Sequence, residues 1–198
     1  GDWTRAEAEL EHLRNAGLPH AFLEASARFH LMRGDLERAA TSAMDWIAEL
    51  PRSIDARWFM LDVLSAREGS EAASSLALQW MRENRNHEDF ENIYCAQLDR
   101  AFAPKWKKYS VILRRLKRNA EDAWAWRELT FDCLYEHSMA GAEKKKRLER
   151  RIERYLAECD RTSGGIVQTV RAHSMWHEYR GDWSAAVAGY VESIALDP

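Results

Sequence analysis

Two histidines, His173 and His177, sit four residues apart with Glu178 beside the second. On a helix that spacing puts both imidazoles on one face, where they can bind one metal ion. No HExxH motif is present and no third ligand is identifiable in the sequence, so spacing alone assigns no metal and none is expected. Three cysteines, Cys95, Cys133 and Cys159, form no CxxC pair. An odd set of this kind in a helical chain reads as reduced, buried thiols of a cytosolic protein. Residues 105–118 carry seven cations (Lys105, Lys107, Lys108, Arg114, Arg115, Lys117, Arg118) and no acid, and residues 143–154 carry seven more among three glutamates. Such runs serve either as solvated helix faces laced by i,i+4 pairs such as Glu143 and Arg147, or as contacts to an anionic partner or nucleic acid, which would show steep salt dependence. Neither an RNP-like aromatic pattern nor zinc-finger spacing accompanies them. Phosphate loop, dinucleotide fingerprint and nucleophile elbow are all missing, and Ser163-Gly164-Gly165 is a linker without the GK[ST] ending. The chain is therefore read as non-catalytic, with no cofactor.

The elements that must position these residues are helices. Of 198 residues 46% are hydrophobic, which suffices for a core and argues against disorder. No stretch alternates β-branched with polar residues for long, so a sheet is not expected. No apolar run reaches the ~18 residues that a membrane span requires, and no leader segment is visible. Apolar residues instead recur at helical spacing. Examples are Trp3, Ala6, Leu10 and Leu13; Trp58, Leu61 and Leu64; and Trp106, Tyr109, Leu113 and Leu116. Pro19 suits a helix start, and Asp35 and Ser70 suit helix caps. With nine tryptophans in the chain, Trp58 and Trp126 are expected to be core positions whose truncation costs about 3–5 kcal/mol. Charge is uneven. Residues 1–100 have 11 arginines, no lysine and 18 acids, net −7, whereas residues 101–198 have 18 basic residues and 14 acids, net +4. Such an asymmetry can steer association without choosing the partner.

The helices come in pairs with a period. In residues 167–198 one segment ends at Tyr179-Arg180, Gly181-Asp182-Trp183 turns the chain, and a second closes on Leu196-Asp197-Pro198. Gly181 to Pro198 spans 17 residues, as do Gly34 to Pro51 and Gly69 to Asn86. In the last, Asn replaces Pro at the stop, which fits its tolerance of left-handed backbone. Ala39 takes the place of Ala186, and His30 that of His177. Glycines 1, 34 and 69 are spaced by 33 and 35 residues. With Gly181, Ala186, Tyr190 and Pro198 as its best-matched positions, the chain resembles the tetratricopeptide-repeat (TPR) family, whose unit is a helical pair of about 34 residues. Trp124-Ala125-Trp126-Arg127 is also faintly similar to the repeats of prenyltransferase α-subunits and of RNA-processing HAT proteins, over too short a stretch to carry a catalytic residue across.

The resemblance implies an all-α, right-handed α-α superhelix of four to five helical hairpins. It is expected as one domain, with a half repeat at 1–18 and units near 19–51, 52–86, 87–119, 120–165 and 166–198. The fourth is about a dozen residues over the period and reads as an extended helix pair. Starting on half a repeat suggests either a segment of a longer array or a first helix acting as a cap. In TPR-like arrays the first helix of each pair lines a concave groove that holds a peptide or protein segment. The resemblance places Glu24, Arg28, Phe59, Met60, Arg67, Arg171, Met175, Glu178 and Tyr179 on that face, joined by Trp124, Arg127 and Tyr135. Glu24, Phe59 and Met60 depart from the Lys and Asn set of the family's carboxylate clamp, so that ligand is not expected. In the family the position of His177 holds a residue packing on the next helix. A cytoplasmic interaction scaffold follows, with a possible homodimer through the exposed end of the stack. The alternatives are an anionic or nucleic-acid partner on the basic half, or the helical accessory region of a larger enzyme.

Overall fold

The computed structural model describes residues 3–163 and 166–197. Gly1-Asp2, Gly164-Gly165 and Pro198, where the opening turn, the linker and the last helix stop were expected, lie outside the described residues. The described residues form eleven α-helices and no strand. They are α1 (Trp3–Asn15), α2 (Pro19–Met32), α3 (Leu36–Glu49), α4 (Ile54–Glu68), α5 (Ser70–Glu83), α6 (Glu88–Arg100), α7 (Lys105–Arg118), α8 (Ala123–Ser138), α9 (Ala142–Ser163), α10 (Val167–Tyr179) and α11 (Trp183–Leu196). The fold is all-α, as expected. Two compact units divide the chain, Gly1–Pro104 and Lys105–Pro198. The boundary falls inside the 87–119 stretch, at Pro104, just before α7.

Local chemistry sets the helix ends. Side-chain oxygens of Asp35, Ser53, Asp122 and Asp182 accept from the backbone N–H three residues on, capping α3, α4, α8 and α11. Pro19 opens α2. After α2, Gly34 adopts φ +75°; its N–H donates to the Leu31 carbonyl and the Asp35 N–H to that of His30. After α10, Gly181 at φ +78° repeats this closure with Glu178 and His177. This is the Schellman arrangement, which left-handed backbone permits and glycine adopts without steric cost. The same closure ends α6 with Phe102 in the left-handed place, at φ +49°. Asn86 has φ +66°, the conformation its residue type suggested.

Two readings need correction. Ser70 is not a cap: it is the first residue of α5, and Gly69 is both the end of α4 and the cap of α5. Gly69 therefore corresponds to Asp35 rather than to Gly34, and cap to cap the period is 34 residues. Trp58 and Trp126 are half-buried, and the tryptophans sealed inside the cores are Trp46 and Trp176. Trp126 has its indole N–H on the Ala120 carbonyl, and Trp58 is overlain by Arg100.

In the first unit α1 packs on α2, α2 on α3, α3 on α4, α4 on α5 and α5 on α6. Its core joins Ala27 of α2 and Ala39, Ala43 and Trp46 of α3 to Ala56, Phe59 and Val63 of α4. The fourth residue after each cap is a buried alanine in α3, α5 and α11 (Ala39, Ala73, Ala186), which lets the paired helix approach closely. In the second unit α7 packs on α8, α8 on α9, α9 on α10, and α10 on both α8 and α11. Cys133, Leu134, Leu148, Ile152, Leu156, Ala172 and Trp176 form its larger core. α9 is 22 residues long and takes up the excess over the period. In α11, Gly189 stands against Ser174 of α10 so closely that an added Cβ would meet the serine hydroxyl. The three cysteines are buried and unpaired by disulfide. Burial pushes the thiols of Cys133 and Cys159 up from their ordinary range.

Candidate interaction surface

First helices meet edge to edge within each unit. In the first, the Arg28 guanidinium of α2 lies over the Phe59 ring of α4 at 5.9 Å. Arg57 of α4 lies over Phe90 of α6 at 4.9 Å. Arg100 of α6 donates to Asp62 of α4 at 2.5 Å and covers the Trp58 ring at 5.3 Å. In the second unit, His137 of α8 meets Trp176 edge-on at 5.3 Å and stacks on Tyr179 at 5.9 Å, both on α10. Helical pairs capped at a 34-residue period, closed by left-handed turns and with their first helices in a row, are the TPR pattern built from this chain's own residues. The fold is TPR-like.

Among the residues expected on the TPR-like face, the open-surface ones in the first unit are charged. Arg28 and Glu24 pair at 2.9 Å, an exposed i,i+4 contact along α2. Arg67 pairs with Glu68 and, at 3.5 Å, with Glu37 of α3. Phe59 and Met60 are not on that surface. They retain 7% and 9% of their exposure and belong to the core shared by α2, α3 and α4. The reason is that α4 is apolar around most of its girth and is packed on by α3 and α5, so residues between its two inward arcs are also covered. Trp58, Asp62 and Arg100 hold the open positions instead. Trp58 and Asp62 lie one turn apart on α4, and the packing beside α6 adds Arg100 to them.

In the second unit Arg171 and Tyr135 are exposed, with Lys105 above the Tyr135 ring at 5.5 Å. Arg127 is half-buried. Met175 and Tyr179 are partly buried against the α8–α9–α10 core. Two of the expected residues face other helices. Trp124 stacks under Arg115 of α7 at 4.4 Å. Glu178 accepts from the Tyr190 hydroxyl of α11 at 2.7 Å, and burial together with that bond pushes the Tyr190 phenol up to about 12. His173 and His177, read as a candidate metal pair, each face an acid: Asp160 at 2.8 Å and Asp182 at 3.4 Å. No three His, Cys, Asp or Glu side chains converge among the described residues.

The basic run of α7 differs from a plain solvated face. Lys108, 4% exposed, reaches Glu128 at 2.7 Å and Asp132 at 3.3 Å on α8. Arg115, 1% exposed, donates through Nε to Asp122 at 2.6 Å. Two of the seven cations therefore bind α7 to α8, and the field available to an outside anion is correspondingly smaller. On α9 the expected solvated face is seen, with Leu148, Ile152 and Leu156 inward and most of the charged residues outward. Nearby, the Lys144 ammonium holds the Glu136 carboxyl below its usual range.

No protein-family model matches the chain, and no curated protein matches it. Solved structures of similar course include MamA protein, at 11% identity and TM-score 0.48, over 91% of this chain and 93% of that one. A MamA RS-1 ArsTM double mutant follows at 16% and 0.47, over 91% and 96%. YrrB, described as a TPR protein with an unusual peptide-binding site, is at 15% and 0.47, over 100% and 93%.

Proposed function

We propose that this chain is a non-catalytic scaffold that holds a peptide or protein segment on the first-helix faces of its hairpins. The observation that carries the reading is the row of guanidinium groups laid over aromatic rings at first-helix seams, with Arg28 over Phe59 and Arg100 over Trp58. An acidic side chain of a partner would compete with Glu24 or Asp62 for these guanidinium groups. Its apolar neighbours would cover the open part of the Trp58 ring, while buried Phe59 only backs Arg28 from the core, the combination that concentrates binding energy at Arg and aromatic positions. In the second unit Tyr135, Arg127, Arg171 and the exposed edge of Tyr179 are the corresponding groups. Three buried thiols without a disulfide fit a reducing compartment, and we assign the protein to the cytoplasm. Among the described residues no helix is long and apolar enough to cross a membrane.

The test is selection of binders from a random dodecapeptide library on the 198-residue chain. The enriched peptides are then titrated by fluorescence anisotropy against the wild type, Arg28→Ala and Arg100→Ala. Loss of about tenfold or more in affinity in at least one variant is expected for a hot-spot arginine. Enriched peptides that bind both variants as tightly as the wild type, or no enrichment at all, would overturn the reading. A fluorescein-labelled single-stranded RNA serves as the comparison: if it binds with steep salt dependence while no peptide is enriched, the basic half is the binding surface instead.

A further inference from the structure

α9 sorts its charges by side. Glu149, Glu153 and Asp160 are turned toward α8 and α10, where they meet His137 at 3.7 Å, Arg180 at 4.0 Å and His173 at 2.8 Å. Away from the Leu148, Ile152 and Leu156 stripe, Lys146, Arg150 and Arg154 form an exposed row, each one turn from the next. Opposite charges at that spacing stabilise a solvated helix, and like charges weaken it. Glu143 stands a turn before the row, and Glu158 is held by Arg161 at 2.9 Å. α7 lies beside α9 over the same half of α8: Tyr109 of α7 and Tyr155 of α9 pack on one cluster with Ile112, Ala125 and Leu129. Since α7 turns Lys108 and Arg115 toward α8, it leaves Trp106, Leu113, Arg114 and Lys117 outward. Trp106 and Leu113 are 67% and 58% exposed. They are the second and ninth residues of α7, the places held in α3 by Glu37 and Met44, which are exposed too. The surface is thus the regular outer side of second helices.

We propose that this outer face of the second unit binds single-stranded nucleic acid through its phosphate backbone, without reading sequence. Arg114, Lys117, Lys146, Arg150 and Arg154 supply the cations. The indole of Trp106, with the Lys107 ammonium 6.0 Å from its centre, supplies a platform on which a base can stack, the pairing of features that holds single strands. Charge complementarity selects a polyanion, because residues 101–198 carry a net +4 and α9 keeps its acids largely to the other side. The make-up of the face selects among polyanions. Lysine is depleted at the centres of protein interfaces, whereas nucleic-acid interfaces are far more positively charged and more polar. A bilayer is disfavoured because, among the described residues, α9 exposes no large apolar side chain that could enter it. Arg127 projects from the opposite side of α8, so this surface is separate from the first-helix face and does not depend on the peptide reading.

Fluorescence anisotropy with a labelled oligo(U) RNA of about 20 nucleotides tests this on the 198-residue chain. Five phosphate contacts at about 0.7 each give a log–log salt slope of about −3.5, so affinity should fall about 100-fold between about 50 mM and about 200 mM salt. Arg150→Gln combined with Arg154→Gln should weaken binding and bring the slope to about −2. Trp106→Ala should weaken binding about tenfold and leave the slope unchanged, which separates stacking from charge. Arg127→Gln should bind as the wild type does. A poly-glutamate peptide and phosphatidylserine vesicles serve as anions without bases, and both should bind more weakly than the RNA. Four results would each overturn the proposal: no RNA binding at the lower salt, a slope unmoved by the double substitution, wild-type affinity in Trp106→Ala, or poly-glutamate or vesicles bound as tightly as RNA. All the substituted side chains are at least partly exposed, and far-UV circular dichroism checks that each variant folds. Should one unfold, the wild-type salt slope and the poly-glutamate comparison decide. RNA binding in a chain that enriches no peptide would sink the scaffold reading and leave this one standing.

Discussion

Replacing Asp122 by Asn separates two roles that one carboxylate performs. One oxygen accepts the Ala125 N–H at 2.9 Å and caps α8; the other accepts Arg115 Nε at 2.6 Å inside the second unit. Asn caps a helix about as well as Asp, so the capping contribution should change by only a few tenths of a kcal/mol. The ion pair will not survive. Its two side chains are 1% and 6% exposed, and breaking a buried pair from one side costs about 3–5 kcal/mol. Arg115 keeps the face of Trp124 at 4.4 Å, which argues for the lower end, about 3 kcal/mol. With a urea m-value of about 2 kcal/mol/M, the midpoint should fall by about 1.5 M. Asp122→Ala should lose roughly 1 kcal/mol more through the cap. Adding Arg115→Met to Asp122→Asn should recover most of the loss, because an apolar chain of similar length needs no counter-charge. Unfolding should be followed by both circular dichroism and tryptophan fluorescence, since two compact units need not melt together. If Asp122→Asn shifts stability by less than about 1 kcal/mol, or the double variant is no better than the single one, the pair is not the fastening between α7 and α8 that its geometry suggests.

Two further outcomes follow from local geometry. Phe102→Gly should raise stability by about 0.5–1 kcal/mol, because the ring is 95% exposed and packs on nothing while its backbone holds a left-handed turn that glycine enters without strain; a fall in the thermal midpoint would show that the ring is held by contacts of its own. Alkaline pH should destabilise the α10–α11 hairpin: a phenol whose folded pKa is raised from 10 to about 12 contributes stability that is complete below pH 10 and is lost as pH rises toward 12. Thermal melts at pH 9 and pH 11 should therefore differ less in Tyr190→Phe than in the wild type.

What the sequence made legible was periodic. Helical spacing marked the helices, and Asp35 and Asn86 behave as their residue types suggested, because caps and left-handed turns are decided by a few adjacent residues; the glycine intervals did not reach the middle of the chain, where α6 and α7, expected as one pair, fall in different compact units. Gly69 shows where this stops. A glycine serves equally as the left-handed residue after one helix or the cap before the next, and only the hydrogen bonds tell them apart. The candidate face was less legible for a related reason. A helix with one neighbour has one inward stripe, and the residues off it can be assigned to solvent. α4 has α3 on one side and α5 on the other, and Phe59 and Met60 fall where the two inward arcs nearly meet.

The same geometry explains why charge proved the hardest property to read. Lys108, Arg115, Glu128, Asp132 and Asp122 look like surface residues one at a time, and each pair joins α7 to α8 or its cap, so no spacing within a helix reveals it. Together they form the polar part of an interface whose apolar part is only Ile112, Ala125 and Leu129 with their half-buried neighbours. A helix as charged as α7 has too little apolar surface to be held by burial alone, so its ionic groups must be turned inward and matched. The sequence announced the excess of cations. It could not announce the use to which two of them are put, because that depends on α8 presenting acids one turn apart at Glu128 and Asp132. Any attraction of this half for anions must be judged without Lys108 and Arg115, not from the full run of seven.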